Sequence, residues 1–144
     1  MLALEGGKCI EMREEISKGY RDLIAWQKGM ELAEMVYKIT NEFPKEEIYG
    51  LTSQMRRSAV SIPSNIAEGQ LRTSQKEFAQ FVSITLGSCA ELSTQLELAR
   101  RFRYVNRQDF ESISQAIAEE MKVLHGLRRK ISKRPSKSKT NTNY

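Results

Sequence analysis

The sequence predicts an all-α fold, an antiparallel up-and-down four-helix bundle. Three observations carry that prediction. Four long segments place apolar residues at every third or fourth position, short polar or proline-containing breaks separate them, and no segment has the period-2 alternation of a strand. With 144 residues the chain is one ordinary domain, long enough to bury a real core. Its 40% hydrophobic and 28% charged residues suit a soluble protein with well-solvated outer faces.

Residues 1–20 read as a partly ordered leader of mixed charge, with Gly6, Gly7 and Gly19; residues 21–132 as the bundle; residues 133–144 as a basic, disordered tail. The first helix is expected over residues 22–42. Trp26, Met30, Ala33, Tyr37 and Thr40 form one stripe of it, and Leu32, Val36, Ile39 and Phe43 the neighbouring one. Phe43-Pro44 ends it, because the residue before a proline is pushed out of the α region. A second helix is expected to open with Lys45-Glu46-Glu47, whose carboxylates suit the positive end of a helix dipole, and to run to Gly69 as a C-cap.

Within that second segment Pro63 lacks the N–H that a helix interior uses, at a cost of about 3 kcal/mol. The apolar rhythm Ile48, Leu51, Met55, Ala59, Ile62, Ile66 nevertheless passes through it. Either the helix kinks at Pro63 and resumes, which is the reading preferred here, or one helix ends near Ser61 and a short second one starts with Pro63 in its first turn. Asn65 is placed to bond backbone groups that the proline frees.

The third helix is the clearest. Ser74 and Glu77 have capping-box spacing, and Phe78, Val82, Thr85, Cys89, Leu92, Leu96 and Ala99 repeat as 4-3-4-3-4-3. Gly87 and Ser88 are small enough for close approach by a neighbour. The fourth helix starts at Asn106, a good N-cap, and carries Phe110, Ile113, Ile117, Met121, Leu124, Leu127 and Ile131. Ile84 and Leu98 beside the third-helix seam, and Val36 beside the Trp26 stripe, are apolar beyond what one bundle needs, which predicts self-association.

Charge is polarised along the chain. Eight of the 23 basic residues follow Glu120, and no acidic residue does; the remaining 15 face all 18 acidic ones, a net of about −3 before residue 122. A basic end of this kind points to nucleic acid or another polyanion, or else to a plain solubilising terminus. The cations offered for phosphate are Arg56 and Arg57, Arg72, the cluster Arg100, Arg101 and Arg103, and Arg128, Arg129, Lys130, Lys133 and Arg134. A planar guanidinium grips phosphate bidentately, but Arg56 and Arg57 could equally pair with Glu46, Glu47 or Glu68, and the Arg100 cluster suits the negative end of a helix dipole. Trp26 and Tyr37 are expected in packing rather than as base-stacking platforms.

Enzyme classes find little support. A single histidine, His125, cannot furnish a di-iron bundle, and no zinc-ligand spacing, phosphate-cradling glycine loop or nucleophile–base set is present, so no cofactor or metal is expected. Glu68 has no catalytic company. Cys89 falls on the third-helix seam as a small hydrophobe, and with Cys9 in an unlike context no disulfide is expected. No apolar run approaches the roughly 18 residues of a membrane span, and Met1 to Gly7 lacks the basic start of a secretory signal, so a cytoplasmic protein without membrane contact is expected.

The string FPKEEIYGLTSQMRRSAVSIPSNIAEGQLRTSQKEFAQFVSITLGSCAEL, Phe43 to Leu92, closely resembles the four-helix-bundle proteins called 23S rRNA intervening-sequence proteins. Trp26-Gln27-Lys28 upstream, and Leu98-Ala99 with Tyr104 downstream, extend the match to about residues 21–131. The resemblance implies a ring-like homo-oligomer, typically a pentamer. Some members are encoded inside insertions in bacterial 23S rRNA genes, and related proteins are accessories of diversity-generating retroelements that bind nucleic acid and help a reverse transcriptase. The expectation is therefore a non-enzymatic RNA- or DNA-binding accessory protein, with a protein-interaction scaffold docking a partner enzyme as the alternative.

Overall fold

The protein is described here from a computed structural model covering residues 19–133. Four helices make the fold: α1 (Ile24–Thr40), α2 (Leu51–Gln70), α3 (Gln75–Arg101) and α4 (Arg107–Ser132), with 3-10 turns at Tyr20–Asp22 and Lys45–Glu47. Among the described residues there is no strand. Each helix packs on the next in sequence, and α4 closes back onto α1. Expected contributions from the leader before Gly19, and from Arg134 onward, lie outside the described residues.

One core runs through all four helices. It takes Ala25, Leu32 and Val36 from α1, Leu51, Met55, Ala59, Ile62 and Ile66 from α2, Val82, Cys89, Leu92, Leu96 and Ala99 from α3, and Ile113, Ile117, Leu124 and Ile131 from α4. The α3 and α4 members are those that the 4-3 spacing selects. Each fully buried leucine or isoleucine contributes about 1.5–3 kcal/mol, so Leu92→Ala or Leu124→Ala would cost about 2–5 kcal/mol once the cavity is counted.

The ends of α3 and α4 follow from capping chemistry. Ser74 Oγ accepts the Glu77 N–H at 3.1 Å, and Asn106 Oδ1 accepts that of Asp109 at 2.8 Å. α3 stops in a Schellman turn: the Tyr104 N–H reaches the Ala99 carbonyl at 2.9 Å, and Arg103 takes the left-handed conformation, φ 63°, usually left to glycine.

The α1 stripe differs from expectation. The buried line is Ala25, Gly29, Leu32, Val36 and Thr40, whereas Met30 and Tyr37 are exposed and Trp26 and Ala33 half-buried. Both stripes are apolar, and the second one borders a groove instead of the core. Val36 is therefore a core residue and not part of an exposed apolar surface, whereas Ile84 and Leu98 are 53% and 40% exposed.

The second helix also begins later than its carboxylates suggest. Lys45–Glu47 is a separate turn, Ile48 is exposed, and α2 starts at Leu51, whose N–H bonds Glu47 Oε2 at 2.9 Å. α2 then runs unbroken through Pro63, so a helix end near Ser61 is ruled out. Room for the ring comes from α1: a Cβ on Gly29 would stand 3.4 Å from Pro63 Cδ and 3.2 Å from Ile62 Cγ2. Asn65 donates to the Ser61 carbonyl at 2.8 Å, not to the Ala59 carbonyl that the proline leaves without its N–H partner.

Gly69 is not a C-cap. It lies inside the last turn of α2, buried, where a Cβ would fall 2.5 Å from Phe81 Cβ. Only a glycine lets the α2 backbone approach α3 that closely.

A candidate nucleic-acid interface

The candidate cations divide between two ends of the molecule. At one end stand residues 19–23, the α2–α3 turn and the last turns of α4. There Arg21, Arg72, Lys76, Arg128, Arg129, Lys130 and Lys133 face only Asp22, Glu68 and Glu77. At the other end, residues 41–57 and 97–111 hold Lys45, Arg56, Arg57, Arg100, Arg101, Arg103 and Arg107 against Glu42, Glu46, Glu47, Glu97, Asp109 and Glu111. The first end is a basic pole; the second is nearly neutral.

Helix geometry builds the basic pole. Leu124 and Ile131 anchor α4 in the core, with Leu127 packed against it, and this turns Arg129, Lys130 and Lys133 toward solvent. Arg129 and Lys130 also lie in the last turn of α4, where the helix dipole favours positive charge. Arg128 is half-buried and turned to His125, its Nη2 lying 3.2 Å from Nδ1. Lys130 and Arg72 line one cleft of about 540 Å³, together with Asp22, Gln70, Ser74 and Phe78. Arg72 reaches Glu68 at 2.9 Å and lies 5.0 Å over the Phe81 ring, which fixes its guanidinium at the cleft. Arg134 lies outside the described residues.

The other end holds its arginines differently. Arg100 and Arg101 both grip Glu97, at 2.9 and 3.1 Å, and those two hydrogen bonds pull its carboxyl down to about pKa 2. Arg107 pairs with Glu111 at 3.0 Å. Arg56 bonds neither Glu46, Glu47 nor Glu68. It donates to Thr40 Oγ1 and Asn41 Oδ1, both at 2.9 Å, and lies 4.6 Å over the Tyr37 ring, so its charge ties α2 to the end of α1. Arg57 and Arg103 are exposed. Of the candidate cations in the described residues, the fold gathers Arg72, Arg128, Arg129, Lys130 and Lys133 where few acids stand, and Arg56, Arg57, Arg100, Arg101 and Arg103 among nearly as many acids as cations.

One polar residue escaped the sequence reading altogether. Glu120 on α4 is fully buried, and neither carboxyl oxygen has a hydrogen-bond partner. Its place was legible: Ile113, Ile117, Glu120, Leu124, Leu127 and Ile131 step by four and three, and the rhythm selects Glu120 over Met121. On the facing helix, burial pushes the Cys89 thiol up to about pKa 12, with Glu120 adding to the effect, so this sulfur is no nucleophile. Among the described residues no group of three or more His, Cys, Asp or Glu is placed to hold a metal, and no helix is long and apolar enough to cross a membrane.

Residues 21–126 match the model of a family described as 23S rRNA-intervening sequence protein. Among solved structures, the chain is similar to the crystal structure, at 1.70 Å, of a protein of unknown function from the S23 ribosomal protein family of Bacteroides thetaiotaomicron VPI-5482. The two are 27% identical, the likeness covers 74% of this chain and 96% of that one, and the TM-score is 0.69. No curated protein matches the chain.

Proposed function

The chain belongs to the 23S rRNA-intervening sequence protein family, and on that premise we propose that it is a non-enzymatic, homo-oligomeric, cytoplasmic accessory protein that binds RNA or DNA through its basic pole. The observation that carries this reading is the pole itself: Arg129, Lys130 and Lys133 project from the end of α4 beside the Arg72 cleft, with little acidic charge against them. Phosphates would be held mainly through charge, so binding is weakly sequence-specific and falls steeply with salt as each neutralised phosphate releases a counterion.

The reading includes the assembly. The helices run up and down antiparallel, α2 is kinked at Pro63, and protomers join in a ring, on family resemblance a pentamer, that multiplies the basic poles. Contacts such as Ser58 with Glu91 and Gly69 with Phe81 support the antiparallel course of α2 and α3. The outer face of α3 supports the assembly: Ile84 and Leu98 are exposed, and between them Gly87 faces open space.

A filter-binding salt titration on rRNA fragments and retroelement RNA tests the proposal. Micromolar binding at low salt that weakens as salt rises is expected; no binding at low salt would count decisively against it. Light scattering that returns a monomer mass at micromolar concentration would remove the assembly.

A second reading, a scaffold that docks a partner enzyme such as a reverse transcriptase, is favoured by one feature. Between α1 and α2 an open groove of about 600 Å³ is lined by Trp26, Met30, Ala33, Tyr37, Val60 and Pro63. Converting Arg129, Lys130 and Lys133 to alanine separates the readings, since it cripples phosphate contact and spares docking in this groove.

A further inference from the structure

Halfway along the bundle, one cross-section breaks the apolar rule. α1 supplies Gly29, which leaves room for Pro63 of α2; α3 supplies Cys89; α4 supplies Glu120. The same level holds Lys28, whose Nζ lies 3.4 Å from Glu119 at the rim between α1 and α4. Neither Glu120 carboxyl oxygen finds a hydrogen-bond donor among the described residues.

We infer that Glu120 is a proton-operated latch: neutral, it sits in the closed core, and on losing its proton to solvent it becomes a buried charge that weakens the packing of α4 at this cross-section. A carboxylate buried without donors is far less favourable than the neutral acid, so the packed state selects the protonated form. The titratable groups that face it support this. α1 presents Lys28, the one cation close enough to favour ionisation; α3 presents Cys89, which stays a thiol; α4 presents Glu119, already engaged with Lys28. The backbone of α2 does not come next to that of α4. Burial raises the Glu120 carboxyl to about pKa 8 against an ordinary 4.5, with Lys28 pulling the other way.

The sign follows. Below pH 4.5 folded and unfolded chains both hold the proton. Between pH 4.5 and about 8 only the folded chain holds it, so stability falls as pH rises through that window and levels off above it. The test uses the full chain. Its glutamate carboxyl carbons are labelled, and the Glu120 resonance is titrated in the wild type, identified by its loss in Glu120→Gln. Urea unfolding is followed from pH 4.5 to 8.5 in wild type, Glu120→Gln and Lys28→Met. The expected result is a Glu120 midpoint near 8, moving upward in Lys28→Met. The wild-type folding constant should also fall on the order of a thousandfold relative to Glu120→Gln across the window. A Glu120 midpoint near 4.5 in the folded chain, or superimposable pH profiles of wild type and Glu120→Gln, overturns the latch. If Glu120→Gln does not fold, single-substituted controls at the other glutamates identify the resonance, and the wild-type midpoint alone decides.

Discussion

The two ends of this molecule carry similar numbers of cations, yet only one end is strongly basic. At the far end Glu97 occupies Arg100 and Arg101, Glu111 occupies Arg107, and Arg56 is spent on Thr40, Asn41 and the Tyr37 ring. At the near end three acidic residues face seven cations, and α4 is turned by its apolar anchors so that its last cations point outward. An inventory of arginines therefore says little about binding until each guanidinium's nearest acceptor is known.

The sharpest attack on this contrast removes charge at each end. Converting Arg129, Lys130 and Lys133 to alanine should weaken RNA binding on the order of a hundredfold at physiological salt and flatten the salt dependence by about three phosphates. The paired change Arg100→Ala with Arg101→Ala should alter it less than about threefold. Equal losses would erase the distinction between the ends.

Next in size is the joint that carries the basic pole. Gly69→Ala drives a methyl onto Phe81 at the α2–α3 contact and should cost about 1–3 kcal/mol in urea unfolding. An unchanged midpoint would mean that this joint is looser than its geometry.

At the far end Arg103 occupies a left-handed conformation, so Arg103→Gly should raise stability by about 1 kcal/mol without changing RNA affinity. A matching fall in affinity would place the strained arginine on phosphate and make the far end a second contact.

The smallest effect is electrostatic. Glu97→Gln frees two arginines and should raise RNA affinity no more than about threefold, only at low salt. The Glu97 pairs help the fold above pH 4.5 and are lost as pH falls toward about 2, so wild type should be more stable than the variant above pH 4.5 and the two should converge as pH falls toward about 2.

Much of this was legible in the sequence. The α3 seam and both N-caps were readable because a 4-3 repeat and an Asn or Ser before it depend on local geometry alone. The α1 stripe was not, because two adjacent apolar lines fit one helix and only the position of α2 and α4 decides which is inside. Gly69 looked like a cap for a similar reason: a glycine near a helix end and a glycine under a neighbouring phenylalanine share one letter. The pairing of Glu97 with Arg100 and Arg101 could have been found, since the spacings are three and four. Arg56 bonding Thr40 and Asn41 across sixteen and fifteen residues could not.

Cys89 gives the interior a built-in gauge. While the helices stay together its sulfur is shielded and held as a thiol, and it offers no thiolate to attack a disulfide reagent. Any event that separates the rods bares it at once. In a Cys9→Ser background, the rate at which a disulfide reagent labels it would report how often the protein's middle opens.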